Sequence, residues 1–194
     1  MITPTHQTLR KLGLPAGDCW DLPSSEKRFP DGAHYRVEIP SVEGPRALAA
    51  VLEEAERLGV PLQRVSQGSG IMLLTDEEIR EMARLGRQAR IEVSLFTGPR
   101  AGWDTGAQVT ASAGKNLGAR LRGMDQVIYA AEDVRRACAL GIRSVLIADE
   151  GLLWLITQMK KSGELPADLV LKISVQMGPA NPISVRLMDE LGAG

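Results

Sequence analysis

Lys172 stands between two aliphatic residues in the stretch "DLVLKISVQ", Asp168 to Gln176. A charge set inside a run of that kind must be paired or lose its proton. Two chemistries follow. Lys172 is either half of a structural ion pair, with Glu38 or Glu92 as the acid, or a functional amine. The functional form clamps a substrate anion or forms a Schiff base with a carbonyl substrate. Glu38, in "HYRVEIPS", divides the same way, between an ion-pair partner and a general base. Asp149 and Glu150, in "ADEGLLW", open a helix. Acids there complement the helix dipole, or form a carboxylate pair for acid–base or metal chemistry.

Further candidates lie in loops. "SQGSG", Ser66 to Gly70, contains Gln67 and two glycines whose backbone N–H groups can approach an anion, although such loops also serve as plain turns. "TGPRAGWDTG" brings together Arg100, which can fork onto a carboxylate or phosphate, Trp103, which can stack on a flat ligand or cover a rim, and Asp104. Ser174 and Gln176 follow Lys172 at alternate positions and share its face of a strand.

Positioning these residues requires regular elements, and the chain supplies a rhythm. Residues 1–33 are irregular, broken by Pro4, Pro15, Pro23 and Pro30, with a short helix expected after Thr5; they read as an arm packed on the body. From residue 34 onward strands and helices alternate. Strands are expected at Tyr35 to Ser41, in "PLQRVSQ", from Arg90 to Phe96, in "SVLIAD" and in "DLVLKISVQ". Helices close at Leu58-Gly59, Leu85-Gly86, Leu140-Gly141 and Leu191-Gly192, where glycine tolerates the left-handed exit. Thr75 and Glu78 form a capping box at the start of the second.

Five βα units imply a parallel sheet. Short strands with polar C-terminal ends, and no Gly-x-Gly-x-x-Gly fingerprint, favour a partial TIM-type barrel over the alternative, an open doubly wound sheet. Alternation then puts Arg36, Glu38, Glu92, Ser94, Phe96, Lys172, Ser174 and Gln176 inside, with Val37, Ile39, Val93, Leu95, Leu171, Ile173 and Val175 toward the helices. A complete barrel takes about 250 residues, so five units read as a barrel cut before its sixth strand. Its open edges then need covering, by a second copy, by another chain or by further strands of a longer protein.

Composition narrows the function classes. Net charge is -1, with 23 basic and 24 acidic residues, so no nucleic-acid footprint exists at whole-chain level. Lys115, Arg120, Arg122, Arg135 and Arg136 read as solvated surface. Cys19 and Cys138 make neither a disulfide framework nor a metal-ligand spacing, and two histidines exclude a His-rich metal site. No apolar run is long enough to span a membrane, and no signal peptide is apparent. A cytoplasmic protein acting on a small molecule or peptide, without an identified cofactor, is the expectation; the alternatives are a lyase or isomerase working on a small anionic metabolite through Lys172, and a non-catalytic barrel fragment serving as a binding scaffold.

Two segments carry a family resemblance. "GIRSVLIADEGLLWLI", Gly141 to Ile156, resembles the strand–acid–Gly–leucine-rich helix of the collagenase-like peptidase family, U-32. "LKISVQMGPANPISVRLMDELGA", Leu171 to Ala193, is similar to the family's next unit: Ser174, Gln176, Met177, Asn181 and the run Glu190-Leu191-Gly192-Ala193 match, and Val175 replaces a threonine. The resemblance implies a TIM-like barrel, a peptidase-like hydrolase by family name, and a further strand bearing Arg-Glu-Leu with a cysteine-bearing region beyond. Several relatives are iron–sulfur proteins. Their cysteine cluster is one that Cys19 and Cys138 cannot supply, so no such cluster is expected here.

Overall fold

The apolar residues of each strand recur at alternate positions, and that period of two sorts the sheet into two chemically different faces. In the computed structural model, which describes residues 2–99 and 120–194, five strands form one parallel sheet. They are β1 (Glu38–Ile39), β2 (Arg64–Ser66), β3 (Glu92–Thr97), β4 (Ser144–Ile147) and β5 (Val170–Ile173). Helix α1 (Pro4–Lys11) precedes them. Helices α2 (Pro45–Leu58), α3 (Asp76–Ala89), α4 (Gly123–Ala139) and α5 (Glu150–Lys161) lie between successive strands, and α6 (Pro182–Glu190) follows β5.

The strands are hydrogen-bonded in chain order, β1-β2-β3-β4-β5. A doubly wound sheet needs a point where that order reverses, and this sheet has none, which removes the doubly wound alternative. Right-handed crossovers taken in one direction put the helices on one side. That side is the core: Val65, Val93, Leu95, Val145, Ile147 and Leu171 pack with Leu48, Ile79, Met82, Val134, Leu152 and Ile156 in one buried cluster.

The opposite face carries Glu38, Arg64, Ser66, Glu92, Ser94, Ser144 and Lys172. Its side chains also report the curvature of the sheet. Lys172 on β5 forms an ion pair with Glu38 on β1, although these strands lie at opposite ends of the order. In a flat sheet they would stand about 19 Å apart, four strand spacings, too far for one lysine and one glutamate to meet. The sheet is therefore curled, with its polar face on the inside.

Several expected boundaries shift. β1 is only Glu38–Ile39. Arg36, expected inside, instead pairs with Asp31 at 2.8 Å and lies over the Phe29 ring, 4.1 Å from its centroid. Alternation on β5 stops at Ile173, so Val175, expected against the helices, is 93% exposed on a 3₁₀ turn, Val175–Met177, which also carries Gln176. Helix α1 is capped by Thr3 rather than Thr5 and buries none of its residues; Arg186 of α6 reaches it, donating to the Leu12 carbonyl at 2.9 Å. Arg136 is more than solvated surface: it pairs with Asp76 at 2.7 Å and donates to the Leu74 carbonyl.

Gly86 does not end its helix. α3 has the expected Thr75–Glu78 capping box but continues to Ala89, and Arg90 takes the left-handed exit at φ 56°. Gly86 is there for closeness. A Cβ at this position would fall 2.6 Å from Val93 Cγ2 and 3.3 Å from the Ile91 carbonyl oxygen. In an open helix position Gly→Ala gains up to about 1 kcal/mol, whereas overpacking costs about 1–3 kcal/mol. Gly86→Ala is therefore expected to lower the denaturant midpoint. An unchanged or raised midpoint would show that the helix–strand gap gives way freely.

Candidate functional site

The inner face of the curled sheet is a chain of alternating charges. Glu38 accepts hydrogen bonds from Lys172 Nζ and, at 2.6 Å, from Ser66 Oγ. Its other oxygen lies 3.6 Å from Arg64 Nη1. Arg64 turns to Glu92: Nη2 donates to one carboxylate oxygen at 2.9 Å, while Nε lies 2.8 Å from the other as an ion-pair contact without hydrogen-bond geometry, which leaves Nε and Oε1 without a hydrogen-bond partner among the described residues. Two positive and two negative groups thus run from β5 through β1 and β2 to β3. All four are half-buried, Glu38 and Lys172 each with 24% of the side chain exposed.

Of the two acids expected to meet Lys172, it is Glu38 that does so, in the ion-pair arrangement. Burial pushes the Glu38 carboxyl up. The hydrogen bonds from Lys172 and Ser66 and the charges of Lys172 and Arg64 outweigh it, and hold the group below its ordinary 4.5. For Arg64 burial pushes down, and Glu92 and Glu38 outweigh it and raise the guanidinium.

Three serines form a row across the same face, in the register Ser66↔Ser94↔Ser144. Ser66 is used by Glu38. Ser94 and Ser144 are buried with hydroxyl oxygens that have no hydrogen-bond partner among the described residues.

The loops after the strands hold the remaining candidates. Gln67 is buried, and its amide is engaged with its own loop: Nε2 donates to Ser69 Oγ and the Gly70 carbonyl, and Oε1 accepts from Gly70 N. Asp149 is the N-cap of α5, accepting from Leu152 N at 2.9 Å, while its second oxygen accepts from Leu121 N at 3.1 Å. Glu150 pairs with Arg120 at 2.9 Å, and Arg120 donates to the Ala148 carbonyl at 2.6 Å. Asp149 and Glu150 therefore act on neighbouring residues, Asp149 on the Leu121 backbone N–H and Glu150 on the Arg120 guanidinium, rather than on each other. Ser174 is buried at the end of β5 and accepts from Gln176 N at 3.2 Å. Arg100, Trp103 and Asp104 lie outside the described residues.

Sequence reasoning missed Arg64 and Ser66 as inward residues. The signal was available, since they flank the buried Val65 at alternate positions. It also missed Glu43, whose carboxylate sits on the "SQGSG" loop through Gly68 N, Ser69 N and Ser69 Oγ. Nothing local in "PSVEGPR" marks that glutamate.

Among the described residues no group of three or more His, Cys, Asp or Glu side chains is placed to hold a metal ion, and no helix is long and apolar enough to cross a membrane. No family model, curated protein or solved structure matches the chain.

Lys172→Met leaves Glu38 without its principal partner. The expected cost is about 1–3 kcal/mol, above that of an exposed pair and below that of a fully buried one. Because the folded chain lowers the Glu38 pKa, the contribution is present above pH 4.5 and is lost as pH falls through the depressed folded value. Urea unfolding of wild type should show stability declining below that pH, and Glu38→Gln should flatten the decline. Identical slopes would place the acid sensitivity elsewhere.

Proposed function

We propose that this chain is a βα-barrel-type hydrolase of the collagenase-like peptidase kind, acting on a peptide substrate over the inner face of its curled sheet in a reducing, cytoplasmic setting. The observation that carries the reading is the Glu38–Lys172 ion pair between the first and last strands. It makes a barrel-like concavity out of five strands and lines it with charge. The context of the matching residues supports the reading too. Ser174, Gln176 and Met177 form the turn after β5, and Asn181 caps α6 by accepting from the N–H groups of Ile183 and Ser184 at 3.1 and 3.0 Å.

In this reading Lys172 and Arg64 place positive charge where a carbonyl oxygen becomes an oxyanion. Glu38 holds Lys172 in position. With its carboxyl held low, Glu38 is a better electrostatic anchor than proton acceptor.

A second reading, a non-catalytic binding scaffold, is favoured by one specific fact. Glu38, Lys172, Asp149 and Glu150 each already have a partner within the chain.

The deciding assay incubates wild type and Lys172→Gln with gelatin and a mixed peptide library at a temperature where circular dichroism shows both folded. The hydrolase reading expects new termini with wild type, and a loss of about 10²-fold or more in the variant. No cleavage above the blank by wild type sinks the hydrolase reading and leaves the scaffold.

A further inference from the structure

We propose that the loop after β2 is a carboxylate-binding cradle, filled in the resting chain by its own Glu43 and opened to a ligand carboxylate when that side chain swings out. This goes beyond the peptidase reading and does not depend on hydrolysis.

The donors are Gly68 N, 3.1 Å from Glu43 Oε1, and Ser69 N, 3.0 Å from Oε2, with Ser69 Oγ a second donor to Oε2. Each carboxylate oxygen thus has its own backbone N–H, the manner in which main-chain nests capture a peptide C-terminus or a small acid. Gly68 permits the approach, since a Cβ there would lie only 3.3 Å from Glu43 Oε1.

The cradle does not rely on its occupant. Gln67, buried behind it, fixes the loop with an amide that donates to Ser69 Oγ and the Gly70 carbonyl and accepts from Gly70 N. These bonds tie residue 67 to residues 69 and 70, and none of them runs through Glu43. The occupant, by contrast, is exposed, as are Gly68 and Ser69. It is carried by the loop after β1, in which Ser41 takes a left-handed backbone at φ 57°, a conformation that disfavours a non-glycine residue. A rigid receptor and an exposed, tethered plug make a competitive arrangement. An external carboxylate binds with its intrinsic affinity reduced by the fraction of time the plug is out.

The test is amide NMR on the full chain at pH 7, with chloride as the ionic-strength control. Titrating acetate into Glu43→Ala should shift the Gly68 and Ser69 amides saturably. In wild type the apparent affinity should be about ten-fold weaker or more. N-acetyl-alanyl-alanine with a free carboxyl binding tighter than acetate points to a peptide C-terminus as the source; equal affinity points to a small acid. Absence of a saturable shift in folded Glu43→Ala overturns the cradle. Tighter binding of inorganic phosphate than of acetate overturns the carboxylate assignment. If Glu43→Ala does not fold in chloride, refolding is compared in acetate. Recovery in acetate alone supports the proposal, and no recovery overturns it.

Discussion

The contact between Glu38 and Lys172 is the constraint on which the rest of the sheet depends. It joins strands that the hydrogen-bonding order keeps furthest apart, so it can exist only if the sheet curls. It also reports register. A one-residue slip of β1 would turn Glu38 toward the helices and Ile39 toward the charges. Arg64 adds a second check, because it must lie beside both Glu38 on β1 and Glu92 on β3. Half-buried ion pairs contribute modestly to stability, since desolvation offsets much of the attraction. Here their geometric demand is the larger effect. Four charges on four strands meet in this one register.

That arrangement divides the labour of the two faces. The helix side is apolar and tightly packed, down to the gap at Gly86 where no side chain fits. The inner side is polar, with a serine row beside the charges. Between these faces and the solvent stand the loops, and those after β2, β4 and β5 are fixed by side chains bonding to nearby backbone. Gln67 holds the turn after β2, Asp149 caps α5 while gripping Leu121, and Ser174 starts the turn after β5. Residues that would be candidates for chemistry by type alone are thereby also the residues that fix the loops.

Much of this was legible in the sequence because it is local. Helix exits at Gly59 and Gly141, the Thr75 capping box and the succession of strands depend on neighbours a few residues away. The inward position of Lys172 and its choice between two glutamates followed from strand alternation. What could not be read was set by partners distant in sequence. Leu85-Gly86 looks like any helix stop; only Val93 across the gap gives its glycine another purpose. Val175 continues the alternation on paper, but its strand has already ended. Glu43 becomes significant only when Gly68 and Ser69 are folded against it.

The charge pattern also bears on where a ligand carboxylate could bind. On the inner face Lys172 and Arg64 are each matched by Glu38 or Glu92, so the cluster sums to zero and its field falls off quickly. A ligand carboxylate approaching it would have to displace a carboxylate already well bound, and leave that group half-buried and unpaired. The N–H groups of Gly68 and Ser69 carry no such penalty. They are fixed by Gln67, they face solvent, and the group they release, Glu43, returns to water. In the proposed cradle, a ligand carboxylate would meet the backbone of the loop after β2 without breaking the ion pairs of the inner face, which stay free to act on the neutral carbonyl of a substrate.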